Sequence, residues 1–372
     1  MRVTSRSIVC QSEIGTARAN LTFPCLASLS DGRLLATYRA GSTKDGEDET
    51  IEIVSSNDSG ATWSAPRSPF DSPTVDGKHG TVKICYVTEL EPEHLLASGL
   101  WVDRQTFPGQ PLFNPETEGC LPMAVVLADS YDGGESWTVW RHVPMSADIG
   151  PPSLTCPILK LRDGRLAMSV ESNKTYADTN KWYQKAVLRH SWDQGRTWGN
   201  SYIAGFDPDG RIFNWDQRVG VAPDGRLAAF LWTYDRETES YLNIHRRLSS
   251  DGGETWSEAE DMGFTDQASH PAVLPDGRIV LAWVDRFNTQ TIRARMAPSI
   301  DASFDEETEV VVYEHQDPSS GDVDRSGALG FSVWSFGLPF AEGLPDGSVA
   351  VMYYAGTEDA MDIHMVRLNA ED

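Results

Sequence analysis

The chain has 372 residues and a formal net charge of −24, a balance that argues against nucleic acid and anionic membranes as partners. No apolar run is long enough to cross a bilayer as a helix, and the length admits one large domain or two ordinary ones. The cysteines Cys10, Cys25, Cys85, Cys120 and Cys156 are odd in number and form no CxxC pair. With no apolar signal core in MRVTSRSIVCQSEIG, that usage fits reduced thiols and a cytoplasmic location.

Read from the N-terminus, RSIVCQS (6–12) predicts a strand. CLASLSDGRLLATYR (25–39) predicts a hairpin, with an Asp-Gly turn between a short apolar strand and a more hydrophobic one. The loop AGSTKDGEDETI (40–51) leads to SSNDSGATWS (55–64), a tight turn of the form Ser-x-Asp-x-Gly-x-Thr/Ser-Trp. VKICYVTELEPEHLLASGLWVDR (82–104) is a degenerate second hairpin, followed by a long loop (105–122) and the turn SYDGGESW (130–137). ILKLRDGRLAMSVES (158–172), a loop (172–184) and SWDQGRTW (191–198) repeat the scheme. VGVAPDGRLAAFLWTY (219–234), a loop (235–241) and SSDGGETW (249–256) repeat it again. AVLPDGRIVLAWVDR (272–286) and EGLPDGSVAVMYYAG (342–356) keep the hairpin without a clean Ser-x-Asp turn. TIRARMAPS (291–299) and DIHMVRLN (362–369) predict their third strands.

The turn chemistry explains the repeat. Asp58, Asp132, Asp193 and Asp251 can accept hydrogen bonds from their own turns, and Gly60, Gly134, Gly195 and Gly253 supply positive φ. Trp63, Trp137, Trp198 and Trp256 are expected to start the next strand. Four copies of one local turn mark four structural hairpins rather than four active sites. Hairpins recurring at roughly sixty-residue intervals predict an all-β, six-bladed β-propeller of four-stranded antiparallel blades. The whole of 1–372 is expected to be one domain, closed by the strand at 6–12 so that no sheet edge is left open.

In such a ring the Asp-Gly and Ser-x-Asp turns share one face. The variable loops after the second strands lie on the other, where function is expected. The Ser-x-Asp-x-Gly-x-Thr-Trp turns resemble the Asp-boxes of sialidases and sialidase-like glycoside hydrolases, over nearly the whole chain. That resemblance implies an Arg on the first strand for a substrate carboxylate, an acid Asp in the first long loop and a Tyr nucleophile in the last hairpin. Here LTFPCLASLSDG (21–32) keeps Pro24 but has Thr22 at the Arg position. STKDGEDE (42–49) offers Asp45, then Asp48, as the acid. SFGLPFAEGLPDG (335–347) carries Leu338 and Phe340 and no Tyr, so an ordinary retaining sialidase is not expected.

On the expected functional face lie carboxylates, arginines, imidazoles and aromatics, the mixture that sugar sites use. Asp45 or Asp48 is the candidate acid, and Asp216 or Glu171 the second carboxylate. Arg39, Arg104, Arg218 and Arg286 would hold an acidic substituent, and His79, Trp101, Trp215, Tyr234 and His270 would complete the site. The repeated WVDR (101–104 and 283–286) equally suits a packing and salt-bridge unit, and Asp45 and Asp48 equally suit a solvated acidic loop.

The reading that results is a hydrolase of a small, acidic or otherwise modified glycoside, with a carbohydrate as its partner. A sugar- or protein-binding propeller, or a lyase using His270 or His79 with Tyr234, remain open at this point. No cofactor is expected: there is no HExxH, Walker loop, dinucleotide fingerprint or serine elbow. The Asp-rich HQDPSSGDVDR (315–325) lacks a full calcium-loop pattern, so no metal is expected.

Overall fold

A computed structural model describes residues 1–316, 334–357 and 359–370. The described residues form an all-β molecule, and no helix among them is long and apolar enough to cross a membrane. Antiparallel strand groups follow one another along the chain. The first contains Asn20–Ser28, Leu34–Gly41 and Thr50–Ser56. The second runs from Lys78–Glu91 through His94–Asp103 and Met123–Ser130 to Arg141–Val143. In the third, the broken inner strand Ser153–Leu154 and Leu159–Lys160 precedes Leu166–Glu171, Lys185–Ser191 and Ser201–Phe206.

Ile212–Val221, Leu227–Asp235 and His245–Ser249 build the next group, and Gln267–Ala268, Ile279–Asp285, Thr291–Ala297 and Asp305–Glu314 the one after. Phe336–Gly343, Val349–Gly356 and Met361–Asn369 are then joined by the N-terminal strand, Arg2–Cys10, which pairs antiparallel with Met361–Asn369. That strand starts earlier than the sequence suggests. Met361–Asn369 is tied to the first group by a single parallel bridge, Met361 with Asn20.

The second strand of each group shows why these segments are so apolar. Every residue of Leu34–Gly41, Leu227–Asp235 and Ile279–Asp285 is buried. Each lies between pairing partners on both edges and neighbouring groups on both faces, so it does not alternate polar with apolar.

The Ser-x-Asp turns are closed hydrogen-bond units. In the last of them, the Ser249 hydroxyl donates to Asp251 at 2.8 Å and accepts the Gly253 N–H at 2.8 Å. Asp251 accepts the Thr255 N–H at 3.0 Å and its hydroxyl at 2.6 Å. The same set recurs at Asp58, Asp132 and Asp193. Gly253 has φ +90° and packs so closely on Leu188 that a Cβ would collide with it. Trp137, Trp198 and Trp256 precede the outer strands rather than starting them. Trp137, Trp198 and Trp256 donate their indole N–H back to the turn glycine's carbonyl, at 3.2, 3.1 and 3.0 Å, and pack against the core.

Candidate active site

A cavity of about 140 Å³ opens on the side of the long loops, away from the Ser-x-Asp turns. The first strands of several groups line it, and the way they do so is shared. The ladder slips between Thr22 and Cys25, between Val82 and Ile84, between Trp215 and Arg218, and between Gly337 and Phe340. Each slip releases residues from pairing, and Phe23, Lys83, Asp216 and Leu338 then face the cavity. Phe23 (φ 55°), Asp216 (φ 47°) and Leu338 (φ 44°) hold left-handed backbone, which side chains larger than glycine rarely adopt. Strain of this kind persists where the surrounding fold over-determines it, and functional sites are where it collects.

Asp216 and Glu171 are the carboxylates of this cavity among the described residues. Glu171 ends the strand Leu166–Glu171 and is buried. Its carboxylate accepts the Gln217 N–H at 3.1 Å. Burial first, and then the negative charge of Asp216, push the Glu171 carboxyl up to about 8, so it carries a proton at neutral pH. Asp216 is anchored on both oxygens: Arg218 lies 3.3 Å from Oδ1, and the Gln267 side-chain amide donates to Oδ2. The buried Arg218 also donates to the Tyr86 hydroxyl at 2.9 Å and to the Thr155 carbonyl. One carboxyl is therefore held neutral and its neighbour is paired with a guanidinium, the division of labour that acid–base catalysis needs.

The walls are aromatic. Trp182, Trp215, Trp232 and Trp334 line the cavity with Phe23 and Phe113. Behind them, Tyr234 stacks on Trp215 at 5.2 Å and Tyr241 on Trp232 at 4.7 Å.

Of the residues expected from the sequence, Glu171, Trp215, Asp216 and Arg218 converge here, with Tyr234 directly behind. The others do not line the cavity. Asp45 belongs to a buried ionic cluster. Its Oδ1 lies 2.8 Å from Lys83 and 3.0 Å from Arg104, and its Oδ2 accepts the Leu112 N–H at 3.0 Å. Burial works against its charge, but Lys83 and Arg104 hold it well below the usual carboxylate range. A carboxylate clamped in that way is a poor proton donor. Asp48 is exposed and accepts the Ser42 N–H at 3.1 Å.

Arg39 is sealed from solvent, 3.2 Å from Glu49 and donating to Thr22 at 3.0 Å and to the Thr43 carbonyl. Arg104 is held by Asp45 and Glu49. Arg286 donates to the Phe336 carbonyl at 2.7 Å and lies over the Trp334 ring at 4.2 Å. Trp101 is core, its indole N–H on the Pro73 carbonyl at 2.9 Å. His79 is exposed beside Thr74. His270 faces a different cavity, at the turn side. It stacks on Phe340 at 4.6 Å, 3.4 Å from the Cys156 sulfur. Burial first, then Arg218, push its imidazole down to about 3. The lyase arrangement of an imidazole beside Tyr234 is thus not assembled in the cavity.

Both WVDR copies act as packing units. Asp103 caps the N–H groups of Gln105 and Thr106, and Asp285 caps Asn288. Residues missed in the sequence include Phe23, Lys83, Tyr86, Phe113, Trp182, Trp232, Gln267 and Trp334. The signal for the first was Pro24, as Pro339 was for Leu338: proline inside a strand marks a break in the ladder. Of the Asp-rich 315–325 segment, 317–325 lies outside the described residues.

Residues 112–316, more than half of the chain, match the family described as the BNR repeat-like domain. The chain belongs to that family. It is sialidase-like: a sialidase of Micromonospora viridifaciens is 24% identical over 356 residues, covering 91% of this chain and 50% of that protein. The chain thus spans about half the length of this curated relative. A protein of unknown function from Dyadobacter fermentans superposes with a TM-score of 0.75 at 20% identity, over 98% of this chain and 99% of that one. The intramolecular trans-sialidase of Ruminococcus gnavus gives 0.65 at 14% identity, over 97% of each chain. The NanB sialidase of Streptococcus pneumoniae gives 0.67 at 12% identity, over 98% of this chain and 70% of that one. These likenesses establish the fold.

Proposed function

We propose that this BNR-repeat protein is a glycoside hydrolase acting on a small glycoside, with Glu171 as general acid and Asp216 as the second carboxylate. The observation that carries the reading is the pair itself: a buried Glu171, whose burial favours its neutral form, and an Asp216 that a left-handed backbone turns into the same cavity. Glu171 would protonate the departing glycosidic oxygen. Asp216 would activate water or attack the anomeric carbon, while Arg218 and Gln267 orient it. The indole walls suit the C–H face of a sugar ring. The sialidase relatives support a glycosidic bond as the target, and a carbohydrate as the partner. With Leu338 where those enzymes' nucleophile is expected, a tyrosine-dependent sialidase mechanism is not part of the proposal.

The proposal includes a single six-bladed propeller over 1–372. Splitting the 7-stranded sheet at its one parallel bridge supports it, as does the pairing of Arg2–Cys10 with Met361–Asn369. It also includes a cytoplasmic location, supported by five free thiols. The test is a panel of aryl glycosides, including sialosides, uronides, arabinosides, rhamnosides and neutral hexosides, offered to wild type, Glu171→Gln and Asp216→Asn. Turnover of one class is expected, lost in Asp216→Asn on every leaving group and in Glu171→Gln wherever the leaving group needs a proton. Turnover that survives both substitutions refutes the assignment.

A further inference from the structure

Resting on the hydrolase reading, we infer that the cavity selects an uncharged sugar bearing an apolar substituent, a 6-deoxy sugar with its C-methyl group, over an acidic one. The argument starts from the ladder slips. They are the fold's means of choosing which side chains meet a ligand, because each one re-aims a residue that regular pairing would have turned elsewhere. Two of the three left-handed positions present hydrocarbon: Phe23 and Leu338. Their strands, Asn20–Ser28 and Phe336–Gly343, pack side by side, so the two residues belong to one sector of the wall. Asp216 is presented from a different strand group.

The cations give the complementary result. An acidic substituent needs a guanidinium or ammonium able to turn to it. Among the described lining residues the cations are Lys83 and Arg218. Lys83 lies 2.8 Å from Asp45 and 3.1 Å from Glu49, and Arg218 serves Tyr86, Thr155 and Asp216. Arg39, Arg104 and Arg286 lie outside the lining and are bound to carboxylates, carbonyls or rings. Taking the charge of Lys83, Arg218, Arg39 or Arg104 for a substrate carboxylate would strip a buried ion pair, which costs more than a new surface-like pair returns, and taking Arg286 would strip its bond to the Phe336 carbonyl and its seat over the Trp334 ring. A methyl group against Phe23 and Leu338 requires no such exchange.

The experiment measures binding separately from cleavage. Methyl glycosides of a 6-deoxy sugar, of its 6-hydroxy parent and of the matching uronic acid are titrated into Glu171→Gln by tryptophan fluorescence, with saturation-transfer NMR on the sugar protons. The 6-deoxy glycoside is expected to bind roughly tenfold or more tightly than the uronate, with strongest saturation on its methyl group. Leu338→Ser and Phe23→Ser, checked for folding by circular dichroism, are expected to erase that preference. Equal or tighter binding of the uronate, or no binding by any of the three, overturns the inference. The aryl counterparts are offered to wild type in parallel. Cleavage with the uronide preferred sinks this inference and leaves the hydrolase standing. A binding preference for the 6-deoxy sugar without cleavage of any glycoside supports this inference and sinks the hydrolase.

Discussion

Replacing Glu171 by Gln is expected to stabilise the protein increasingly as pH rises, while removing turnover of glycosides whose leaving group needs a proton. The native state holds the Glu171 proton up to about pH 8, whereas the unfolded chain releases it near 4.5. Between those values the folded form binds more protons than the unfolded form, so wild-type stability falls as pH rises. Gln cannot ionise and escapes that loss. At about 1.4 kcal/mol per pH unit, the variant's advantage should be near its baseline at pH 4.5, grow by about 2 kcal/mol at pH 6, and reach at most about 5 kcal/mol by pH 9. The amide can still accept the Gln217 N–H, so the baseline itself should change little. Urea unfolding of both proteins at several pH values between 4.5 and 9 reads the difference directly. A stability difference that stays flat across that range would refute the account of Glu171 as a buried neutral acid.

Other outcomes follow from the same geometry. For wild type, kcat/KM should decline as pH rises through about 8, because the acid form of Glu171 in the free enzyme is lost; a kcat/KM still climbing at pH 9 contradicts the assignment. Asp45→Asn should cost about 3–5 kcal/mol at neutral pH by leaving Lys83 and Arg104 short of a partner. Because the folded-state value of Asp45 is depressed, that stability is present above its ordinary value near 3.8 and disappears as pH falls below it, which acid titration of the two proteins would reveal. Trp215→Ala should raise KM at least about tenfold by removing a wall and its stack on Tyr234, as measured by initial rates. Ser249→Ala should lower unfolding stability by about 1–3 kcal/mol with kcat unchanged, since the turn lies far from the chemistry.

The turns were legible in the sequence because the bonds that define them are local. Asp251 satisfies itself within five residues, so the motif carries its own structure. The side on which the cavity opens was legible too, since the long loops mark it. The facing of individual residues was not. A single slip in the ladder reverses which side chains point inward, and Phe23, Lys83, Asp216 and Leu338 all sit at such slips. Arg39 and Arg286 looked ligand-facing at strand ends, but carbonyls, a ring and Glu49 receive them. Glu49 sits in a loop that reads as solvated, yet its side chain is fully buried as the centre of an ionic cluster. Long-range pairing of that kind leaves no periodic trace.

The central claim is that Glu171 gives its proton to a leaving group, and leaving-group dependence tests it most directly. A glycoside with a dinitrophenyl group needs no proton to depart, whereas one with an alkyl group does. Glu171→Gln is expected to hydrolyse the first at close to the wild-type rate and to lose about 10²-fold or more on the second. Equal losses on both glycosides would show that Glu171 does not act as the acid.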